Sequence, residues 1–211
     1  MFVRPCWKPW DLEAAYELMG TDPWALLVQN GDEGPFATNL PLYLDRSRGP
    51  HGTLVGHIAA ANAHARVLAE ARGEALAIFE GPWSFVTASW YPNRDMPGTY
   101  YYTAVHCAGR IRLQTAAELE AALGELNGRM EGRVPNGWKM DEVPHSEIAR
   151  RLPAIVGFEL PIERLEAKFK LGQDEPLKDA MAVAGHLAAS HDPSSRRLSE
   201  MVRRANAGRT A

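Results

Sequence analysis

The sequence is poor in cysteine, lacks a long apolar run and has no strong excess of charge of either sign. Cys6 and Cys107 are the only cysteines in 211 residues, so neither a framework of several disulfides nor a C-x-x-C metal site is expected. No apolar stretch is long enough to span a bilayer. The opening residues MFVRPCWKPWD also lack the apolar stretch of a signal peptide. We therefore expect a cytoplasmic protein without a membrane partner.

The distribution of charge gives no reason to expect a nucleic-acid partner. The formal net charge is −3, and lysine and arginine are spread along most of the chain instead of forming one basic face. The one basic cluster lies at residues 195–204, where a solubilising tail is the simpler explanation. The sequence shows no helix-turn-helix signature.

Short apolar segments separated by turn residues dominate the first half of the chain. Strands are predicted at residues 24–29, 36–44, 53–59, 75–79, 84–90 and 100–113, and a strand or strand pair at 155–171. Helices are predicted at 11–19, 62–72, 115–131 and 177–189, the first three capped by Asp11, Asn62 and Thr115. This pattern predicts an α+β, mainly antiparallel fold, with a barrel and helices packed outside it.

The length of the chain suits one compact domain. Hydrophobic residues make up 45% of the sequence, which is enough to form a core. We expect a single domain over residues 1–190. The polar, arginine-rich residues 191–211 are expected to form a loosely held tail.

Several segments resemble motifs of one known family. They are residues 34–41 (GPFATNLP), 52–62 (GTLVGHIAAAN), 89–92 (SWYP), 102–109 (YTAVHCAG), 155–159 (IVGFE) and 165–173 (LEAKFKLGQ). In order and spacing, the chain up to about residue 173 resembles the FMN-binding, Pai-type regulator-like family. The resemblance implies a homodimeric split β-barrel of the FMN-binding type, with peripheral helices and a cofactor near the dimer interface.

Three departures from the flavin-type members point to a particular branch of this family. Residues 98–102 read GTYYY where those members usually have Pro-Thr-Trp-Asn-Tyr. Residues 62–65 read NAHA where they have Asn-Pro-x-Trp, and the closing motif carries Ala167, Gly172 and Asp174. These positions are expected to contact the cofactor, and one branch of the family, the haem-dependent piperazate synthases, which this chain resembles, binds haem instead of FMN. That resemblance implies haem b and a hydroxylamine amino acid substrate, N5-hydroxyornithine, closed to piperazic acid. The α-amine would attack while iron assists cleavage of the N–O bond.

Haem iron takes an axial donor such as histidine, cysteine, methionine or tyrosine. His64 is the first candidate for the metal ligand because it stands at the start of a predicted helix just after a strand. His57, which lies in that strand, is the second, and His106 follows because it lies in a matched motif. A surface histidine or a satisfied buried histidine is the alternative for each.

Other polar residues of the matched segments are candidates for binding the cofactor. Lys168 and Lys170 share a face of the closing strand and could anchor a haem propionate or a flavin phosphate; a solvated strand edge is the alternative. Gln173 would be an accessory donor. Asn39, beside Thr38 in an otherwise apolar strand, could bond the cofactor or the substrate. Arg66, Arg110 and Arg112 are further candidate partners for a propionate; ordinary surface arginines are the alternative.

Three consecutive tyrosines lie on one predicted strand. Tyr100 and Tyr102 point to one face and Tyr101 to the other. We treat Tyr100 and Tyr102 as candidate cofactor contacts, and Tyr101 and Lys168 as candidate catalytic residues, since a tyrosinate or a basic side chain could take the substrate's ammonium proton. Filling of the core is the alternative for at least one of the tyrosines.

Two further functions remain open. The retained Gly-His, SWYP and Lys-x-Lys segments favour an FMN-binding flavoprotein oxidoreductase. A Pai-type transcriptional regulator is the other alternative, which the name of the family suggests.

Overall fold

The computed structural model describes residues 1–70 and 73–210. Its helices are α1 (Leu12–Thr21), α2 (Ala63–Glu70), α3 (Ala116–Glu131), α4 (His145–Arg151), α5 (Leu177–Ala188) and α6 (Pro193–Ala205). Its strands are β1 (Trp24–Gly31), β2 (Gly34–Pro41), β3 (Tyr43–Asp45), β4 (Thr53–Ala59), β5 (Ala75–Val86), β6 (Thr99–Gly109), β7 (Arg112–Leu113), β8 (Ile155–Pro161) and β9 (Arg164–Lys170). Within these residues, no helix combines the length and apolar character needed to cross a membrane.

The strands form two sheets. One has the order β2-β1-β5-β6-β9 and the other has the order β3-β4-β8-β7. Strands β1 and β2 pair antiparallel with Leu27 opposite Thr38, and β4 pairs antiparallel with β8, with His57 opposite Gly157. These pairings agree with the predicted antiparallel class.

The chain divides into two compact units. The first unit comprises Met1–Asp22, Phe79–His106 and Glu166–Ala211, and the second comprises Pro23–Ile78 and Cys107–Leu165. The side chains that fill the interior of the first unit include Leu18, Phe79, Tyr101, Phe169, Val183 and Leu198. Those of the second include Leu27, Leu54, Leu68, Phe158 and Leu160. That residues 1–190 fold as one domain stays a prediction.

Local capping signals located the helices of the first two thirds of the chain. Helix α1 follows Asp11, whose carboxylate accepts a hydrogen bond from the Ala14 N–H at 2.8 Å. Before α3, Thr115 and Glu118 bond reciprocally in a complete capping box. Both predictions are confirmed, because a cap is formed by side chains within one turn of the helix it begins. The predicted α2 extends to Arg72, which lies outside the described residues.

The prediction of two strands at 75–79 and 84–90 is wrong, since β5 runs without a break from Ala75 to Val86. A glycine between two predicted strands, such as Gly81, is typical of a turn. Gly81 is instead a point of close approach, where a Cβ atom would lie 2.5 Å from a methyl of Leu18 and 2.3 Å from the Thr103 hydroxyl. A glycine inside a strand often marks such close packing.

The predicted strand at 100–113 is divided. Strand β6 ends at Gly109 and β7 begins at Arg112. A Cβ atom on Gly109 would lie 2.0 Å from the carbonyl oxygen of Pro161, so another chain segment approaches the backbone closely at the point of division. The predicted strand at 36–44 is likewise divided into β2 and β3.

The expectation of a loosely held C-terminal tail is wrong over α6. Asp192 caps this helix by accepting hydrogen bonds from the N–H groups of Ser194 and Ser195, and Leu198 and Val202 are fully buried. The Asn206 amide then donates to the carbonyl oxygen of Leu171 at 2.9 Å. The prediction failed because it relied on the polar composition of this segment. Its two buried apolar side chains lie one turn apart on one face of the helix.

Candidate cofactor site

His64 is placed by the loop that begins α2. The side-chain oxygen of Asn62 accepts a hydrogen bond from the His64 backbone N–H at 2.9 Å. The Asn62 amide nitrogen lies 3.5 Å from the Thr38 hydroxyl on β2. The imidazole packs beside the Phe36 ring, with 5.8 Å between ring centroids, and the residue is 1% exposed. The hydrogen bond from the His64 backbone N–H to Asn62 and the contact with Phe36 therefore hold the imidazole inside the second unit.

The two nitrogens of the His64 ring differ in their surroundings. Nδ1 lies 2.9 Å from the Thr38 hydroxyl, whereas Nε2 is buried and has no hydrogen-bond partner among the described residues. Burial lowers the pKa of His64, so the neutral imidazole is favoured, which is the form that ligates metals. If Nδ1–H donates to Thr38, Nε2 keeps a lone pair that no described residue satisfies. Metal-binding histidines are commonly held in this way, through a hydrogen bond from the nitrogen that does not bind the metal.

The other two candidates of this unit are placed differently. His57 is half-buried in β4 and burial lowers its pKa, while Asn39 is exposed on β2, one position from Thr38. Neighbouring strand residues point to opposite faces, so Asn39 does not share the face of Thr38. Neither residue is hydrogen-bonded to His64 in the described part of the chain.

Within residues 1–70 and 73–210, no three histidine, cysteine, aspartate or glutamate side chains come together as a metal-binding group. A haem differs from such a site because the porphyrin supplies four nitrogen donors and the protein adds one or two. One histidine with a free Nε2 fits that donor set.

In the first unit, Lys168 and Lys170 lie on the same face of β9. Their Nζ atoms are 4.7 and 5.8 Å from the centroid of the Trp7 ring. Lys168 is 9% exposed, and its ammonium also lies 5.1 Å from the Tyr102 ring. Lys170 donates a hydrogen bond to the Thr99 hydroxyl. The structure thus brings the two predicted lysines together with one of the predicted tyrosines.

The amide of Gln173 is engaged by its own backbone neighbours. Its nitrogen donates to the carbonyl oxygen of Phe169 at 2.6 Å, and its oxygen accepts from the Leu171 N–H at 2.7 Å. These bonds stabilise the turn after β9. Gln173 therefore contributes to the position of the two lysines only through the backbone.

The three tyrosines separate as strand geometry predicts. Tyr100 is 53% exposed and lies against Trp83 and Phe85. Tyr101 points to the other face, where it is fully buried and donates a hydrogen bond to Glu175. Burial raises the pKa of Tyr101, and the bond to Glu175 adds to this, so the phenol stays protonated and is poorly suited to act as a tyrosinate base.

His106 lies half-buried on β6. Burial lowers its pKa and the N-terminal ammonium lowers it further, against opposing effects of Glu166 and Glu80. This imidazole therefore lies in the field of the chain's N-terminus.

Sequence reasoning missed the residues that surround Lys168. Trp7 is buried and its indole N–H donates to Asp174 at 3.1 Å, while Arg4 bonds the other oxygen of Asp174 at 2.8 Å. The density of aromatic residues near the N-terminus was the available signal. Arg112, a candidate partner for a propionate, is instead bonded to Glu159 at 2.6 Å.

Comparisons with known proteins agree with this architecture. The chain is 27% identical over 202 residues to protease synthase and sporulation protein PAI 2 of Bacillus subtilis (strain 168), covering 96% of both chains. Its fold is similar to the FAD and haem binding protein from Mycobacterium smegmatis, with a TM-score of 0.56, 18% identity, and coverage of 81% and 77% of the two chains. It is also similar to the flavocytochrome Anf3 from Azotobacter vinelandii, with a TM-score of 0.56, 15% identity, and coverage of 77% and 69%.

The predicted fold class is confirmed: the protein is an α+β, mainly antiparallel split β-barrel of the FMN-binding type with peripheral helices. Residues 1–164 match the family described as "Putative FMN-binding domain". The match covers most of the chain, and with the PAI 2 relative it confirms the resemblance read from the motifs. The chain belongs to this FMN-binding domain family.

Proposed function

We propose that this protein binds haem b and that Nε2 of His64 would hold the iron. The carrying observation is the buried Nε2 that lacks a partner, on a ring held through Nδ1 by Thr38. An unsatisfied buried nitrogen is costly, and coordination to iron would satisfy it. Two proteins of similar fold are described as a FAD and haem binding protein and as a flavocytochrome, which supports haem on this scaffold.

The residues of the first unit would serve an anionic group. Lys168 and Lys170 present two ammonium groups on one face of β9. Such a pair suits a carboxylate or a phosphate. We propose them as the anchor for an anionic group of the cofactor or the substrate. Tyr102 lies against Lys168 and would help to hold it. Tyr100, His106, His57 and Asn39 stay candidate cofactor contacts.

The reaction we propose is closure of N5-hydroxyornithine to piperazic acid, in which an N–N bond forms, an N–O bond breaks and water is lost. Bound haem iron would supply the Lewis acid that weakens the N–O bond. The protein's own residues would bind and orient the amino acid and exclude competing water. Lys168 is the candidate base for the ammonium proton, a role that requires its neutral form and is therefore an alternative to anchoring an anion. Tyr101 is a weaker candidate, because its hydroxyl is already bonded to Glu175.

The proposal is tested first by the absorption spectrum of protein expressed with a haem precursor. A Soret band supports haem, and incubation with N5-hydroxyornithine, followed by mass spectrometry of the product, then tests the cyclase. A spectrum with two broad flavin bands and no response to added haemin contradicts the haem proposal. Haem without product would retain the cofactor and reject the reaction.

The ligand assignment needs its own variants. His64→Gly is expected to lower haemin affinity by more than about 100-fold, since even changes behind a metal ligand cost 10–100-fold. Added imidazole should restore the spectrum of the ligated form. Thr38→Val should weaken haemin binding by about 10-fold. His191→Ala, at an exposed position, is the matched control, and an unchanged spectrum in His64→Gly would reject His64.

FMN is the second candidate cofactor, because the family match names an FMN-binding domain. Two flavin bands, together with weaker FMN binding in Lys168→Gln and Lys170→Gln, would establish an FMN-binding protein, and turnover with a reduced nicotinamide would then test for a flavoprotein oxidoreductase. A colourless protein that binds a specific DNA would favour the regulator.

We further propose that the protein is a cytoplasmic homodimer that acts on a small-molecule substrate. Light scattering of the purified protein tests the oligomeric state.

A further inference from the structure

The first seven residues are tied across β9 and the turn that follows it. The N-terminal ammonium of Met1 bonds Glu166 at 2.8 Å. Arg4 and the indole N–H of Trp7 bond the two carboxylate oxygens of Asp174 at 2.8 and 3.1 Å. We call residues 1–7 the N-terminal strap. Its two ends are thus held by carboxylates that flank Lys168 and Lys170 in the sequence.

The strap places aromatic rings around the ammonium of Lys168. Nζ lies 4.7 Å from the Trp7 centroid and 5.9 Å from that of Phe2, and the Tyr102 ring is 5.1 Å away. The Phe2 and Trp7 rings meet edge to face with centroids 6.2 Å apart. Two of the three rings around this ammonium belong to the strap, which explains why a lysine on a strand is only 9% exposed.

This arrangement leaves the ammonium without an anionic partner. Among the described residues, no carboxylate forms a hydrogen bond or ion pair with Lys168, and the nearby Glu166 and Asp174 already bond Met1 and Arg4. Ring faces attract cations, but a charge-assisted hydrogen bond to a carboxylate or phosphate is stronger and directional. Lys168 Nζ would therefore bind an anion that reached it more strongly than it binds the aromatic rings.

We propose that the N-terminal strap gates the approach of anionic ligands to Lys168, with Trp7 and Asp174 as the positioning residues. The anchoring of a cofactor or substrate anion by Lys168 rests on the proposed function; the gate itself does not. When the strap lifts, the ammonium loses two rings and gains access to the ligand. Trp7 also faces Lys170, so its movement would uncover the ammonium groups of both lysines.

The strap is built to release without unfolding the unit beneath it. Phe2 is 75% exposed, and the Arg4 side chain that bonds Asp174 is 50% exposed. Exposed ion pairs of this kind contribute little stability. After the strap, Trp10 packs on Phe169 with ring centroids 5.4 Å apart. The strap thus combines exposed contacts at Phe2 and Arg4 with one buried residue, Trp7, whose release is the step that would open the gate.

The accessibility of Lys168 to an amine-labelling reagent tests the gate without any cofactor. Labelling is followed by mass spectrometry, with the exposed Lys139 as internal reference. In the wild type, Lys168 should react much more slowly than Lys139. Asp174→Asn removes the charge that holds Arg4 and should speed labelling of Lys168 several-fold. Asp95→Asn, at an exposed position, is the matched control and should change nothing.

Inorganic phosphate is the probe for the anion. It should protect Lys168 in Asp174→Asn at lower concentration than in the wild type. Trp7→Phe, which keeps a ring but loses the indole N–H, should fall between the two proteins. Equal labelling of Lys168 in all variants, or no protection by phosphate in any, overturns the gate. If the protein binds neither haemin nor FMN and these labelling differences hold, the proposed function fails while the gate stands.

Discussion

Two carboxyl side chains are buried to the same extent, one in each unit, and differ in their partners. Glu159 is 5% exposed and Glu175 is 6% exposed. Glu159 accepts hydrogen bonds from Arg48 at 2.9 Å and from Arg112 at 2.6 Å. Burial opposes its ionisation, but the two guanidinium groups outweigh burial and lower its pKa. Burial raises the pKa of Glu175, since its bond from Tyr101 opposes this only in part and the nearby Asp174 adds to it.

The difference shows that the partners, and not the degree of burial, decide the direction in which the pKa of a buried acid shifts. The ion pairs of Glu159 connect β8 to Arg112 on β7 and to Arg48 in the loop after β3. Glu175 has a raised pKa and accepts a hydrogen bond from a tyrosine whose own pKa is also raised. This bears on the chemistry, because the raised pKa of Tyr101 makes its phenol poorly suited to act as a tyrosinate base.

The largest effect is expected from Glu159→Gln. This change keeps the volume of the side chain but removes the charged partner that Arg48 and Arg112 share, which leaves Arg48 paired with Asp45 at 2.7 Å and Arg112 paired with Glu118 at 2.9 Å. Loss of a buried ion-pair partner costs several kcal/mol, but these arginine side chains are 41% and 47% exposed, so water replaces part of the loss. We expect a decrease of about 2 kcal/mol in the free energy of unfolding, measured by urea denaturation.

Glu163→Gln, on an exposed side chain, is the control for this measurement and should leave the urea midpoint unchanged. Equal midpoints for Glu159→Gln and the wild type would show that the arginines stabilise nothing, and the contrast between the two carboxyls would collapse.

Tyr101→Phe should cost less. It removes the hydrogen bond to Glu175 without opening a large cavity, and the net loss of one such bond is about 1 kcal/mol. Urea denaturation measures the loss in stability, and the rate of product formation measures any catalytic role. A variant of normal stability that is inactive would return Tyr101 to the catalytic residues.

The smallest effect is expected from Glu175→Gln, and its sign depends on pH. A raised pKa means that the folded protein holds this proton more tightly than the unfolded chain does. The resulting stability is complete below the ordinary pKa of glutamate and is lost as the pH rises through the folded-state pKa. The variant lacks this loss, so relative to the wild type it should become more stable from pH 4 towards pH 8, by less than about 1 kcal/mol.

Glu159 should give the opposite slope in the same experiment. Because its pKa is lowered, its contribution is complete above the ordinary pKa and is lost as the pH falls through the folded-state pKa. Urea denaturation of the wild type, Glu159→Gln and Glu175→Gln across this range separates the two carboxyls. Parallel pH profiles for the two variants would contradict the comparison.

Candidate residues were predicted well where a motif places them and poorly where distant segments meet. His64 and Lys168 were chosen from matched motifs, and each is buried in a specific setting. The partner of His64, Thr38, is 26 positions away, and Asp174, which holds Trp7, is 167 positions from it. Periodicity and capping signals are local, so they do not predict contacts between residues far apart in the sequence.

The sequence by itself determined the local elements. Asp11 and the Thr115–Glu118 pair begin α1 and α3 as predicted, because a cap needs only residues within one turn. Tertiary structure alone decided that β5 continues through Gly81, that an arginine-rich segment folds as α6, and that aromatic rings cover Lys168. Each of these depends on side chains brought together from distant parts of the chain, and burial against such partners outweighs local preference.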